Sequence, residues 1–257
     1  MTAFVQAAGR RLEVRDIPAA APARPAIVLL HEGLGALSLW RDFPDQIAAR
    51  TGCRTIAYSR YGYGQSDVLQ APHGVDYMHR EALESLPDLL AALDVERPVL
   101  LGHSDGASIA LIHAGGAARP VAGVVVMAPH VFVEPISIAS IEEARRVFET
   151  TDMKAKMGRH HADPERTFRG WSDIWLHPDF LAWNIESYLP GITCPVLAIQ
   201  GLADEYGTLA QLDRIEAGVA GPFERLELAD CRHAPHRDQS QATLDAIAGF
   251  VRKLTAI

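Results

Sequence analysis

Cysteine is scarce in this chain, and the cysteines present are far apart. Among its 257 residues there are three, Cys53, Cys194 and Cys231. An odd number of isolated cysteines argues against a disulfide framework and against the paired cysteines of zinc sites. The adjacent His160 and His161 lack further ligands at a recognisable spacing, so we predict no metal site. Reduced cysteines are usual in the cytoplasm, which is the predicted location.

Long apolar segments are absent as well. The first residues show no basic segment followed by an apolar stretch, so we expect no signal peptide. No apolar run approaches the roughly 20 residues that cross a bilayer. The sequence therefore predicts no membrane insertion.

Positive charge is also in deficit. The formal net charge is −8, with acidic and basic residues interspersed, which argues against nucleic acid and anionic membranes as partners. Hydrophobic residues make up 48% of the chain, enough for one sizeable core in a globular protein. We expect a small-molecule substrate as the partner. The sequence leaves the oligomeric state open, and a homodimer is one option.

Short apolar runs alternate with helical patterns along most of the chain. Residues 4–7 and 11–17 predict an antiparallel hairpin, and the Pro/Ala-rich stretch 18–25 predicts a connection. Continuous apolar runs indicate strands buried on both faces, so we predict an α/β fold with a mainly parallel twisted sheet and helices on both faces. The strands are predicted at 26–30, 54–58, 98–101, 121–127, 196–200 and 225–228, and the helices at about 39–51, 77–93, 107–114, 208–217 and 241–254.

One long segment breaks this alternation. Residues 131–189 contain no strand-like run and are rich in Trp, His and Arg. An excursion of this length is too long for an ordinary connection. We predict a helical lid over the carboxyl edge of the sheet, where open α/β sheets bind ligands. The predicted domains are a core of residues 1–130 and 190–257 and an inserted lid of residues 131–189.

Aromatic residues at two places are candidates for substrate binding. Trp171, Trp175, Phe180 and Trp183 are spaced three to five residues apart, so most of them share one helical face. Such a face is either the core of the lid or an apolar wall against the substrate. Trp40 has the same two readings, lining the pocket or capping the core.

A serine between two glycines lies where a predicted strand meets a predicted helix. Ser104 stands in Gly102-x-Ser104-x-Gly106, after the apolar run 99–101. This strand–turn–helix setting strains the serine backbone and exposes its Oγ above the sheet. The glycines permit a close chain approach that a Cβ would block. We predict Ser104 as a nucleophile for carbonyl carbon; a helix N-cap serine is the structural alternative.

A serine hydroxyl needs a base for its proton, and that base needs an orienting acid. In the chain order Ser, Asp, His, Asp204 follows the strand at 196–200 and His233 follows the strand at 225–228. Both loops are expected at the same sheet edge as Ser104. Glu205 is the alternative acid and His236 the alternative base.

The negative oxygen formed in such an attack needs preorganised N–H donors. The N–H of Asp105 is one candidate, because it follows the nucleophile at the start of a helix. The helix dipole favours an acidic side chain at this position in any case. We therefore assign a catalytic role to the N–H of Asp105 and none to its carboxylate. The second donor is expected in the loop after the strand at 26–30, where Gly33 is the first choice and Leu34 the second.

Taken together, these segments resemble the α/β-hydrolases of the lid-bearing lipase and esterase type. Residues 59–66 are similar to the family's D-x-x-G-x-G-x-S loop, Gly201-x-x-Asp204 matches the acid turn, and residues 232–236 are similar to G-H-x-P-H. The resemblance runs from residue 26 to the C terminus, except for the lid. It implies the α/β-hydrolase fold and an acyl-serine route of hydrolysis, without a metal or organic cofactor.

Two positions depart from the family pattern. Glu32 stands where the family usually has glycine, and Ser59 stands where it commonly has aspartate. A carboxylate facing the pocket would oppose an oxyanion, so we expect Glu32 to point away and to pair with Arg60. His31 and His103 are expected to support their loops.

The sequence predicts a serine hydrolase that cleaves a carboxylic ester, thioester or lactone of a small, largely apolar substrate. One alternative is a C–C bond hydrolase of ring-cleavage diketones, because the resemblance covers enzymes with the same triad and lid. That reaction would need cationic groups for a substrate carboxylate. The other alternative is a non-catalytic ligand-binding or receptor protein on the same fold. The lid arginines available for such a carboxylate are Arg145, Arg146, Arg159, Arg166 and Arg169.

Overall fold

A single mixed sheet forms the centre of the molecule. The computed structural model describes residues 2–20, 24–117 and 119–254. Within these ranges the sheet has eight strands: β1 (Thr2–Ala7), β2 (Arg10–Ile17), β3 (Ile27–Leu30), β4 (Thr55–Tyr58), β5 (Val99–His103), β6 (Gly123–Met127), β7 (Val196–Gly201) and β8 (Phe223–Leu228). Their order is β1-β2-β4-β3-β5-β6-β7-β8. Only the β1–β2 and β2–β4 pairs are antiparallel among these strands.

The first two strands form the predicted hairpin. Ala7 pairs with Arg10, so the turn consists of Ala8 and Gly9, whose φ angles are 50° and 68°. Two successive residues with positive φ give a turn whose twist matches that of the flanking strands. Of the predicted connection at 18–25, residues 21–23 lie outside the described ranges.

Alternate residues of the central strands enter two different apolar cores. In β3, Ile27 and Leu29 belong to one core, and Val28 and Leu30 belong to the other. All four side chains are fully buried. Successive side chains of a strand point to opposite faces, so a strand covered on both faces is a continuous apolar run. This confirms the predicted fold class.

Helices cover both faces of the sheet. The helices are α1 (Phe43–Thr51), α2 (Tyr77–Arg80), α3 (Leu86–Ala92), α4 (Asp105–Gly116), α5 (Pro135–Thr150), α6 (Met153–Met157), α7 (Pro164–Trp175), α8 (Ala210–Gly218), α9 (Pro235–Asp238) and α10 (Ser240–Leu254). The side chains of α1 and α10 join the core that contains Ile27, whereas those of α2, α3 and α4 join the core that contains Val28.

Two predicted helices are interrupted. The pattern at 39–51 divides into a 3₁₀ turn, Leu37–Trp40, and α1, because Arg41 between them has a φ of 54°. The pattern at 77–93 divides into α2 and α3 around a π turn, Glu81–Ser85. Pro87 follows this turn, and its missing N–H interrupts the regular helical hydrogen bonding.

The chain between β6 and β7 adds no strand to the sheet within the described residues. It consists of α5, α6, α7 and two 3₁₀ turns, Pro178–Ala182 and Glu186–Gly191. Phe148 of α5 stacks on Phe168 of α7 at a centroid distance of 3.9 Å. The amide of Ile185 donates to the carbonyl of Val131 at 2.8 Å and joins the two ends of the segment. The limits of a separate lid domain stay a prediction.

No helix in the described part of the chain is both long and apolar enough to traverse a bilayer.

Candidate active site

Ser104 occupies the sharp turn between β5 and α4. Its φ and ψ are 53° and −119°, a strained conformation for a residue with a side chain. A Cβ on Gly102 would lie 2.2 Å from the carbonyl oxygen of Gly106. A Cβ on Gly106 would lie 2.1 Å from the carbonyl oxygen of Leu30 at the end of β3. Both glycines are therefore required by close backbone contacts, as the motif predicted.

Three side chains that are remote in the sequence meet at this turn. His233 Nε2 lies 3.0 Å from Ser104 Oγ, and His233 Nδ1 lies 2.8 Å from Asp204 Oδ1. Asp204 follows β7 and His233 follows β8, so both come from loops at the carboxyl edge of the sheet. The structure thus brings together the three residues that the sequence analysis selected as nucleophile, base and acid.

Asp204 is held by more than the imidazole. Its Oδ1 accepts from the amide of Tyr206 at 2.8 Å, and its Oδ2 accepts from Gln200 Nε2 at 3.3 Å. Burial alone would raise the pKa of Asp204, but the hydrogen bonds from His233 and Tyr206 outweigh it. The net pKa lies below its usual value, so Asp204 is a carboxylate at neutral pH.

Neither alternative residue occupies the position of base or acid. The carboxylate of Glu205 accepts from the backbone N–H of His233 at 3.2 Å and pairs with Arg232. The ring of His236 packs against Trp40 at 5.1 Å. Burial lowers the pKa of His236 well below its usual value. The imidazole on Ser104 is that of His233.

Glu32 contacts His103 rather than Arg60. Glu32 Oε2 lies 3.4 Å from His103 Nδ1, and His103 Nε2 lies 2.7 Å from the carbonyl oxygen of His233. Both oxygens only accept hydrogen bonds, so the ring makes both bonds at once only when both nitrogens carry protons. Burial opposes ionisation of Glu32, but the hydrogen bond from His103 and the electrostatic effect of the surrounding histidines together outweigh it, and the pKa of Glu32 lies well below its usual value.

The predicted ion pair between Glu32 and Arg60 is therefore wrong. Arg60 Nη2 donates to the main-chain carbonyl of Glu32 at 2.9 Å, while its ion-pair partner is Asp105 at 3.9 Å. The main chain and the side chain of Glu32 face different partners, which a sequence pattern does not reveal. His31 supports its loop as predicted, because its Nε2 accepts from the amide of Arg60 at 3.0 Å.

The candidate oxyanion donors lie on neighbouring loops. β3 pairs with β5, with Leu30 opposite Gly102, so the loop that contains Gly33 and Leu34 begins beside the Ser104 turn. Asp105 is the first residue of α4, where N–H groups lack helical partners. Among the described residues, the amides of Gly33, Leu34 and Asp105 have no hydrogen-bond acceptor. Their role as oxyanion donors stays a prediction.

The carboxylate of Asp105 has partners that the sequence analysis missed. Tyr77 Oη donates to Asp105 Oδ2 at 2.5 Å, and Trp175 Nε1 donates to Asp105 Oδ1 at 3.3 Å. Burial raises the pKa of Asp105, and Arg60 partly offsets this effect. The only sequence signal for these contacts was an acidic residue directly after Ser104. The helix dipole was a sufficient explanation for that residue, so no side-chain partner was sought.

The four candidate substrate-binding tryptophans separate into two groups. Trp175 and Trp183 pack together with ring centroids 6.2 Å apart. Trp171 lies directly over Gly33, where an added Cβ would be 2.1 Å from the indole nitrogen. Trp40 belongs to the other core, under α1 and α10, and is not brought together with these three. The position of Trp40 supports its reading as a core residue.

A further buried histidine lies beside His233. The ring of His130, after β6, is 5.2 Å from that of Trp175 and 5.8 Å from that of His233. Burial lowers the pKa of His130 to about 3, so the ring is neutral at physiological pH. A single histidine after a strand has no motif around it, which is why the sequence analysis did not select it.

His160 and His161, between α6 and α7, contact a serine and a backbone amide. His161 Nδ1 accepts from the amide of Gly64 at 3.1 Å, whereas His160 Nδ1 lies 2.9 Å from Ser38 Oγ. Across residues 2–20, 24–117 and 119–254, no group of three or more His, Cys, Asp or Glu side chains is arranged to hold a metal ion.

Comparisons with known proteins agree with this architecture. Residues 25–148 match the sequence profile of a family described as alpha/beta hydrolase fold. The enol-lactonase from Burkholderia xenovorans is similar with a TM-score of 0.75 over 97% of this chain and 100% of that chain, at 21% identity. This chain has the α/β-hydrolase fold.

Two further solved structures are similar to this α/β-hydrolase fold. A thermophilic esterase from Thermogutta terrifontis has a TM-score of 0.75 and 16% identity, over 99% of each chain. The meta-cleavage product hydrolase from Pseudomonas fluorescens has a TM-score of 0.75 and 18% identity, over 98% of this chain and 97% of that one. Identities this low show the shared fold and do not transfer a substrate.

Sequence relatives match a shorter region. An uncharacterized protein of Mycobacterium tuberculosis is 38% identical over 88 residues, which are 34% of this chain and 24% of that protein. A proline iminopeptidase from Lactobacillus helveticus is 31% identical over 90 residues, 35% of this chain and 30% of the enzyme. The match thus spans less than a third of either relative's length, and their activities are not carried over.

Proposed function

We propose that this protein is a serine hydrolase that cleaves a carboxylic ester, thioester or lactone of a small, largely apolar substrate. The observation that carries the proposal is the continuous line from Ser104 Oγ through His233 to Asp204, with distances of 3.0 and 2.8 Å. A nucleophile, a base and an orienting acid in this order are the requirements of acyl transfer.

In the first half-reaction, Ser104 Oγ attacks the carbonyl carbon while His233 Nε2 accepts the hydroxyl proton. The Asp204 carboxylate holds Nδ1–H and stabilises the imidazolium that forms. The carbonyl oxygen becomes negative and accepts hydrogen bonds from the N–H groups of Asp105 and Gly33. His233 then donates its proton to the leaving alcohol, which departs and leaves an ester on Ser104.

In the second half-reaction, water replaces the alcohol. His233 accepts a proton from the water, whose oxygen attacks the acyl carbon of the Ser104 ester. Collapse of the second tetrahedral intermediate breaks the bond to Ser104 Oγ, which takes the proton back from His233. This step releases a carboxylic acid and regenerates Ser104, so the whole reaction consumes one water and needs no oxidant or reductant.

The surroundings of Ser104 support a small and largely apolar acyl group. Ser104 is only 7% exposed. Trp171 covers Gly33, one of the candidate oxyanion donors, and the ring of Trp175 packs beside His130, whose ring is 5.8 Å from that of His233. Aromatic walls with a few convergent polar groups are typical of small-molecule pockets.

Labelling with a fluorophosphonate and turnover of p-nitrophenyl butyrate test this proposal. We expect the wild type to be labelled at Ser104, and Ser104→Ala to lose the label and at least about 10⁴-fold in kcat. Ser38→Ala, which changes an exposed serine, is the control and should keep both activities. Labelling that persists in Ser104→Ala would reject the assignment.

The C–C hydrolase alternative has weaker support. Its substrate carboxylate needs a cation, but Arg145, Arg146 and Arg169 are paired with acidic residues. Arg166 is likewise paired, with Asp163. Comparing the turnover of a ring-cleavage diketone acid with that of the ester separates the two reactions.

Retention of a ligand without release of any product would instead favour a binding protein.

A further inference from the structure

Arg60 is a buried cation beside the candidate site. It follows β4 and its side chain is 2% exposed. The face of the Tyr63 ring lies 4.6 Å from the guanidinium carbon. A buried guanidinium needs charged and hydrogen-bonding partners, because its desolvation is costly. The positions of those partners indicate what Arg60 does.

The main-chain carbonyl of Glu32 accepts three hydrogen bonds, one of them from the amide of Gly35 at 3.0 Å within the same loop. Arg60 Nη2 donates to it at 2.9 Å, and His31 Nδ1 lies 2.7 Å from it. The backbone N–H of Arg60 donates to His31 Nε2 at 3.0 Å, so the single ring proton of neutral His31 is on Nδ1. Arg60 therefore supplies one of these donors from its side chain and, through its backbone N–H, fixes the His31 tautomer that supplies another.

This carbonyl belongs to the same peptide unit as the N–H of Gly33. The unit is trans, so its C=O and N–H point in opposite directions. The three donors that hold the oxygen in place also hold the direction of the Gly33 N–H. The nearby positive charge further polarises the peptide unit, which makes this N–H a stronger donor.

The counter-ion of Arg60 is the residue that carries the other candidate oxyanion donor. Arg60 Nη2 lies 3.9 Å from Asp105 Oδ2, and the Asp105 side chain is 1% exposed. Tyr77 and Trp175 donate to the same carboxylate and restrict its movement. One buried ion pair thus joins the loop of Gly33 to the start of α4.

We infer that Arg60, held by Asp105, is a positioning residue that directs the Gly33 N–H toward the oxyanion. This inference rests on the proposed serine-hydrolase function and adds a residue to it. Arg60 acts through the Glu32–Gly33 peptide unit and does not touch the reacting atoms. Its contribution is therefore expected in the transition state rather than in substrate binding.

Inhibitors that do or do not form an oxyanion test this role. An alkyl trifluoromethyl ketone adds to the serine and forms an oxyanion, whereas the matching methyl ketone binds largely without addition. For Arg60→Met we expect kcat to fall about 10–100-fold at similar KM, less than the loss of a donor itself. The Ki of the trifluoromethyl ketone should rise in proportion, and that of the methyl ketone should not change.

A second variant covers the case in which Arg60→Met does not fold. Arg60→Lys keeps the buried charge, but a single ammonium does not reproduce the planar fork of guanidinium donors. We expect an intermediate loss in kcat and in trifluoromethyl ketone affinity. Arg54→Met is the control, because it removes a partly exposed ion pair with Asp16 just before β4, and it should match the wild type.

A purely structural role gives a different result. It would lower the fraction of protein titrated by fluorophosphonate while each titrated site keeps the wild-type kcat and inhibitor affinities. That outcome, or a parallel loss of affinity for both ketones, overturns the inference. If the wild type itself is not labelled at Ser104, the proposed function fails and this inference fails with it. If the wild type is labelled normally and the Arg60 variants keep the wild-type kcat and inhibitor affinities, this inference is rejected and the proposed function is not affected.

Discussion

Two hydrogen-bonded networks begin at adjacent residues of the chain, and they differ in exposure and in chemistry. The first joins Ser104 to His233 and Asp204, and the His233 side chain is 15% exposed to solvent. The second joins Asp105 to Arg60, whose side chains are 1% and 2% exposed. The first is the candidate catalytic machinery, and the second is the support beneath it.

The difference in exposure follows from whether the network transfers protons. A group that accepts and returns a proton during a reaction must lie within reach of both the nucleophile and the substrate, which suits the partly exposed His233. A group that only fixes a geometry gains from remaining charged throughout, which suits Arg60. Because the networks are separate, Ser104 can belong to the one that transfers protons while the next residue, Asp105, belongs to the one that fixes the geometry.

Breaking the first network should have the largest effect. Asp204→Asn keeps the shape of the acid but removes its charge, so it neither stabilises the imidazolium nor selects the correct tautomer of His233. We expect kcat for p-nitrophenyl butyrate to fall by about 10²–10⁴ with little change in melting temperature. Asp230→Asn, an exposed change close to the His233 loop, should keep full activity. Wild-type kcat in Asp204→Asn would exclude Asp204 as the acid.

Removing the Tyr77 hydrogen bond from the second network should affect stability more than activity. Tyr77→Phe removes a donor from the buried Asp105 carboxylate, and an unsatisfied buried group of this kind costs about 3 kcal/mol. The free energy of unfolding in urea measures the loss. Tyr61→Phe removes only a hydrogen bond to the exposed Gln70 and should cost less than about 1 kcal/mol. Equal losses in the two variants would contradict the support role.

The smallest expected effect concerns His130, which lies between the two networks near Trp175, His233 and Asp204. Burial lowers its folded pKa to about 3, while the unfolded pKa is near the ordinary value of 6.5. Acidification below about 6.5 therefore protonates the unfolded chain first and destabilises the fold. We expect the protonation of His130 to lower the free energy of unfolding by about 1–2 kcal/mol between pH 7 and pH 5.

His130→Gln removes that proton-linked term. Its unfolding free energy should fall less steeply over this pH interval than that of the wild type, by about 1.4 kcal/mol per pH unit at most. The buried His73 and His161, whose pKa values are both lowered to about 4 by burial, remain in the variant and keep part of the slope. Identical slopes for wild type and His130→Gln would show that His130 is not neutral in the folded state.

Much of the fold could be predicted because burial on both sheet faces imposes apolar runs on the strands. The predicted strand at 26–30 is β3, Ile27–Leu30, and the one at 196–200 is β7, Val196–Gly201. Helix interruptions were harder to predict. The break at Arg41 depends on a single positive φ angle, which no periodic pattern records.

The selection of Ser104, Asp204 and His233 also needed only the sequence. Their chain order and the strands before them restrict each residue to the same sheet edge. The partner of Glu32 was predicted wrongly, and the partners of Asp105 were not foreseen. Those contacts depend on side-chain direction and on which neighbours are excluded from water.

The succession of strands, helices and candidate catalytic residues along the chain was therefore determined by the sequence alone, because hydrophobic periodicity and turn-forming glycines act locally. Only the tertiary structure decided that Arg60 faces Asp105 and that Glu32 faces His103. A buried charge takes the partner that lies within reach after packing, and that distance is a property of the whole fold.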